Sequence, residues 1–126
     1  MRFTVVTPLL ASMLLVAGCS DSQSVKGGWE CTTTHPGGFV SHDVFNFSEK
    51  GTLLLLSDGL EMHGSYTQDG ATLTMHLLDV PIPDPSGHMA TQPQTLTASI
   101  QKKSAKQMEM DVSTGSDHHL SKCRRD

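Results

Sequence analysis

No apolar run in this 126-residue chain reaches the roughly 20 residues that a membrane-spanning helix needs. Basic residues are also scarce, with nine Lys and Arg against thirteen Asp and Glu, and this excludes a nucleic-acid-binding face. Lys102, Lys103 and Lys106 lie together but read as a solvated turn. Catalytic signatures are missing as well: there is no G-x-S-x-G, no H-E-x-x-H and no phosphate-cradling glycine loop. Ser41, His42 and Asp43 are consecutive on an expected strand, so their side chains alternate faces and cannot form a catalytic triad. The chain is therefore read as a binding protein without enzymatic chemistry and without a cofactor. No repeat of 20–50 residues is visible, and no stretch has helical periodicity over any length.

What is present begins with an address. Arg2 supplies a short positive head, Val5 to Val16 is mostly apolar, and small residues then lead to a cysteine. This is the layout of a signal peptide. The quartet Val16-Ala17-Gly18-Cys19 resembles the lipobox of bacterial lipoproteins. The resemblance implies that residues 1–18 are removed and that Cys19 carries a thioether-linked diacylglycerol. A further acyl chain, such as palmitate, would sit on its amine. Several chains anchor stably where one alone is marginal. Ser20 after the cysteine implies the outer membrane, with the protein on its periplasmic side. Residues 19–28 then read as a lipidated flexible tether, and residues 29–126 as a single domain.

Once Cys19 is assigned to the lipid, two cysteines remain in an oxidising compartment. Cys31 and Cys123 lie near the two ends of the domain, with no C-x-x-C spacing to suggest a metal or redox pair. A structural disulfide is expected between them. It closes a loop of about 90 residues and is worth ~4–5 kcal/mol in the chain-entropy account.

The domain reads as all-β, a small antiparallel barrel or sandwich of about eight short strands. Asp58-Gly59 predicts a hairpin with Leu55 opposite Met62 and Leu53 opposite Gly64. A Glu49-Lys50-Gly51 loop sets Phe45 and Phe47 against Leu55 and Leu53. Asp69-Gly70 as a two-residue turn sets Tyr66 opposite Leu73, Gly64 opposite Met75, Met62 opposite Leu77 and His63 opposite His76. Together with period-2 alternation, these turns define one inward set that includes Phe45, Phe47, Leu53, Leu55, Leu60, Met62, Tyr66, Leu73, Met75 and Leu77. Met108 and Met110 extend it on a later strand. The proline-rich stretch from Asp79 to Pro93 is expected to leave the sheet as a lid or crossing loop.

Gly27-Gly28-Trp29 resembles the Gly-x-Trp that opens the first strand of lipocalins. In those barrels an arginine after the last strand covers the tryptophan, which implies that role for Arg124 or Arg125. Trp29-Glu30-Cys31 with Cys123 is also similar to the frame of membrane-bound lysozyme inhibitors, lipidated eight-stranded barrels whose early aromatic-x-Cys is bridged to a late cysteine. Their tryptophan-lysine loop is absent here.

Three functional expectations follow. The first is binding of an apolar small molecule or lipid chain, in a cavity lined by Phe45, Phe47, Met62, Tyr66, Met75, Met108 and Met110; the same residues could equally fill the interior as a core. The second is binding of an envelope protein as an inhibitor or immunity factor. The third is copper or zinc binding through His63 and His76, whose Cβ atoms would stand ~5 Å apart on the outer face. Two imidazoles are an incomplete ligand set, so no metal is expected on balance. A deep pocket lined by Met62, Met75 and Met110 would favour the first reading. A packed interior with an exposed loop would favour the second, with strand edges and the Asp79 to Pro93 loop as its contact surface.

Overall fold

The computed structural model describes residues 24–126. The segments read as a signal peptide and a lipobox, with Cys19, lie outside the described residues. Eight strands follow one another around a closed antiparallel barrel: β1 (Gly27–Thr34), β2 (Val40–Phe47), β3 (Thr52–Ser57), β4 (Leu60–Asp69), β5 (Thr72–Pro83), β6 (Met89–Lys103), β7 (Gln107–Thr114) and β8 (Asp117–Arg124). The choice between barrel and sandwich is thus decided for the barrel. β1 pairs with β8, so no barrel edge is left open, and Cys31 faces Cys123 across that seam as a disulfide.

Because every connection is a hairpin, the loops alternate between two ends. The β2–β3, β4–β5 and β6–β7 turns share the base with Trp29 and both ends of the described residues. The β1–β2, β3–β4, β5–β6 and β7–β8 turns ring the mouth. The domain starts earlier than Trp29. β1 begins at Gly27, and Val25 has no exposed surface, so these residues belong to the barrel and not to a tether.

The expected inward set forms one continuous core, with one correction. Leu60 is 52% exposed, because its position on β4 has inward parity but lies at the mouth, above the last covering layer. Phe45 stacks on Phe47 at 5.7 Å, and Phe47 meets the edge of Tyr66 at 4.9 Å. The Tyr66 hydroxyl donates to the Ser48 carbonyl at 2.5 Å, which lets a phenol sit among apolar neighbours.

Two of the three expected turn registers are present, and the third differs. Asp58 and Gly59 both have positive φ, 48° and 88°, as a type I′ hairpin turn requires, and Leu55 pairs with Met62. At the next hairpin only Gly70 has positive φ, at 62°. The turn therefore centres on Gly70-Ala71, with glycine first as in type II′, and Asp69 pairs with Thr72. Each residue's partner moves two places along, so Tyr66 faces Met75, Gly64 faces Leu77 and Ser65 faces His76. The inward and outward faces survive the shift, but the partners do not. Gly64 makes this register feasible, since a Cβ there would stand 1.9 Å from the His76 carbonyl oxygen.

The proline-rich segment is not a loop. β5 runs on to Pro83 and β6 starts at Met89, with Val80 opposite Gln92, Pro81 opposite Thr91 and Pro83 opposite Met89. This hairpin outruns its neighbours. β4 pairs with β5 only as far as Leu77, and β7 pairs with β6 only from Thr97 onward. Beyond those limits the two strands form a projecting ribbon with two free edges. The Asp84 amide donates to the His88 carbonyl, which sets the ladder: alternation turns positions 81, 83 and 93 toward the free edges. Proline costs no ladder hydrogen bond at such positions.

Candidate functional site

On three adjacent strands the inward residues change from apolar to polar at the same height. β1 passes from Trp29 and Cys31 to Thr33, with His35 just beyond its end; β2 reaches Phe45 from Ser41 and Asp43; β8 reaches Cys123 from His119 and Ser121. Register brings these residues side by side, since Thr33 pairs with both Ser41 and Ser121, and Asp43 pairs with Ser57. Thr33, Ser41, Asp43 and Ser121 are all buried.

Hydrogen positions in this cluster follow from a count of donors. Asp43 accepts from Thr33 at 2.6 Å, from Ser57 at 2.6 Å and from Ser41 at 3.2 Å. Thr33 has thereby used its only hydrogen, so Ser121, 2.7 Å away, donates to it. Ser41 is likewise committed, so it accepts from His35 Nε2 at 2.7 Å. With neutral rings, His35 Nδ1 then accepts from His119 Nδ1 at 2.7 Å, and His119 Nε2 accepts from Thr114 at 3.3 Å. One directed chain therefore runs from Thr114 at the mouth to Asp43 inside the barrel. Burial, then the neighbouring His35, hold the His119 pKa below its ordinary value, in keeping with a neutral ring. Phe39 stacks on His35 at 4.4 Å and caps the chain at the mouth.

This cluster is not an acyl-transfer triad. The second ring nitrogen of His35 faces another imidazole and not a carboxylate, and Asp43 contacts the serine directly. His42 points outward, as strand alternation requires. Neighbouring positions in the chain do not reveal the cluster, because its members come from β1, β2 and β8 and the segment after β1. The signal was parity: His35, Ser41, Asp43, His119 and Ser121 all share the inward phase of their strands.

The residues proposed as a cavity lining do converge. Phe45, Phe47, Met62, Tyr66, Met75, Met108 and Met110 belong to one core and are no more than 8% exposed, with Met75 and Met110 at 0%. His63 and His76 do not converge. His63 is clasped between Glu61, 3.0 Å from Nε2, and Asp79, 3.1 Å from Nδ1, while His76 bonds Thr95. Asp79 also accepts from the His63 amide at 2.7 Å, which ties the foot of the ribbon to β4. The hydrogen bond to Asp79, with help from Glu61, raises the His63 pKa, and the His63 amide, followed by its ring, lowers that of Asp79. Among the described residues, no three His, Cys, Asp or Glu side chains are grouped to hold a metal ion.

At the base, Arg125 covers Trp29 with its guanidinium 4.0 Å from the ring centre, as the lipocalin resemblance implied for Arg124 or Arg125. Trp29 is buried, and its indole N–H donates to the Val25 carbonyl. Gly27 combines φ of 110° with an approach that Arg125 needs, since a Cβ would stand 2.9 Å from its Nη1.

No protein-family model matches the chain, and no curated protein does. Among solved structures it is similar to a redesigned β-barrel, with a TM-score of 0.50 and 18% identity over 81% of this chain and 91% of that one. That likeness supports the barrel fold and carries no function with it.

Proposed function

We propose that this protein is a lipid-anchored, periplasm-facing module that recognises a partner protein through the mouth of its barrel and the ribbon projecting from it. The observation carrying this reading is the placement of exposed apolar side chains. Among the described residues the large ones are Phe39, Val40, Leu60, Leu78, Met89 and Leu120, and all belong to the mouth half or the ribbon. Exposed apolar residues gathered in one region mark an interaction surface more than scattered ones do. The interior supports the same choice, because Met75 and Met110 touch no water-sized space that a small ligand could fill.

The ribbon's edges narrow the mode of recognition. Pro81, Pro83 and Pro93 occupy outward-facing edge positions, where a strand-adding partner would need N–H donors. Along the β5 edge, where Pro81 and Pro83 remove those donors, recognition is therefore through side chains and not through strand addition. Photo-crosslinkers at Leu78 and Met89, compared with one at Thr67 on the outer wall, test the reading in intact envelopes. A discrete protein adduct at the first two positions is expected. Adducts equal at all three would overturn it, and stoichiometric co-purification of a lipid chain from the interior would favour the small-ligand reading instead.

A further inference from the structure

The basic residues are as segregated as the apolar surface, and toward the opposite end. Of the nine Lys and Arg, only Arg2 lies outside the described residues. Lys102, Lys103 and Lys106 mark the end of β6 and its turn to β7. Arg124 and Arg125 end the chain beside them, with the Arg125 amide bonded to the Lys106 carbonyl at 3.0 Å. Lys26 enters β1 at the same end, where its carbonyl accepts from Arg125, and Lys50 lies in the β2–β3 turn. The eighth, Lys122, is two residues above Arg124 on the same outward face and shares an open groove with Lys102, Lys103 and Arg124. Glu30 and Glu109 are in that groove too, but all three ion pairs among the described residues involve histidine, so no lysine or arginine is neutralised by one. Glu49, Asp69 and Asp126 also lie at the base, so its excess of positive charge is modest, whereas the mouth carries Asp58, Glu61, Asp84 and Asp117 and, among the described residues, no Lys or Arg.

We infer that the basic base is a docking surface for a membrane bearing anionic phospholipid headgroups. It would hold the barrel upright with its mouth and ribbon turned away from the bilayer. Charge complementarity supports that occupant, and the described residues begin at this same end, where Val25 is packed into the core at the base. Unpaired surface lysines and arginines gain about 1 kcal/mol each near an anionic leaflet, and the gain decays within a Debye length of ~8–10 Å. The acidic mouth would be repelled by the same field, so the charge layout selects one orientation. The inference does not depend on acylation of Cys19 and is tested without it.

Residues 24–126 contain the whole closed barrel, its core and its disulfide, so a chain starting at Ser20 carries the folding unit. That chain is sedimented with vesicles of phosphatidylcholine alone and of phosphatidylcholine mixed with phosphatidylglycerol. Binding only to the mixed vesicles, weakened by added salt, is expected. Replacing Lys102, Lys106 and Lys122 by Gln should lower partitioning on the order of 100-fold. All three are exposed and none covers Trp29, so the barrel should stay intact by circular dichroism. As a second comparison, Asp58→Asn with Asp117→Asn at the mouth should change binding little. Equal binding to neutral vesicles, no binding to the mixed ones, or a triple variant that binds like wild type would each overturn the inference.

Discussion

Arg125 and Trp29 form the closing contact of the barrel base: the guanidinium lies 4.0 Å from the ring centre and also donates to the carbonyls of Lys26 and Ala105. One side chain thus ties the end of the chain to the entry of β1 and to the β6–β7 turn. Arg125→Ala removes the stacking and both hydrogen bonds, and should cost about 2 kcal/mol. Trp29 is the sole tryptophan, so its fluorescence reports both the loss of cover and the lowered urea midpoint. Arg125→Lys should recover only part, because an ammonium cannot stack and donate in two directions at once.

The Cys31–Cys123 bridge spans 92 residues and joins strands that are already neighbours. Its loss releases the unfolded chain while leaving the β1–β8 ladder available, so a Cys31→Ala, Cys123→Ala variant should still fold. It should be less stable by up to ~4 kcal/mol in the chain-entropy account. Equal urea midpoints for the oxidised and reduced protein would contradict this.

His63 and His119 should titrate in opposite directions from the ordinary histidine value of about 6.5. His119 is held below it, so the unfolded state binds more protons as pH falls through that value, and this site destabilises the fold under mild acid. His63 is held above it by Asp79 and Glu61, so its stabilising share is present in acid and is lost as pH rises through its folded-state pKa. Histidine NMR shifts against pH separate the two, and Asp79→Asn should bring His63 back toward 6.5.

Gly64 tolerates no side chain, because the obstruction is backbone and cannot rotate away. Gly64→Ala should cost at least about 2 kcal/mol, read as a lower urea midpoint, by forcing β4 and β5 apart or slipping their register. A neutral outcome would mean that the hairpin pairs otherwise.

The prolines of the ribbon should act as guards. Replacing Pro81, Pro83 and Pro93 together by Thr restores N–H donors on both free edges, and self-association should appear in sedimentation velocity at concentrations where wild type is monodisperse. Unchanged sedimentation would show that the edges are protected by something other than missing donors.

Alternation and hairpin turns in the sequence were sufficient for the faces of the sheet. Phe45, Leu55, Met62, Tyr66 and Met75 point inward whichever neighbour they meet, because side-chain parity is a property of the strand alone. The Asp58-Gly59 turn was legible for a similar reason, since both of its central residues tolerate positive φ. Asp69-Gly70 is the same dipeptide in a different place. There the choice between a turn at Asp69-Gly70 and one at Gly70-Ala71 belongs to the strands, which close up only where Gly64 meets the His76 carbonyl. That one-residue difference separated His63 from His76 and gave each a different partner.

The tertiary structure alone decided what lies far apart in sequence. The ribbon was masked by its prolines, which forbid an interior strand but not one whose N–H groups face solvent. The His119–His35–Ser41–Asp43 chain joins residues up to 84 positions apart, and only barrel closure brings β8 against β1. The split between basic base and apolar mouth has the same origin. Composition counts charges and apolar side chains, but a meander that reverses at every turn assigns each to one end, and strand direction is what sorted them.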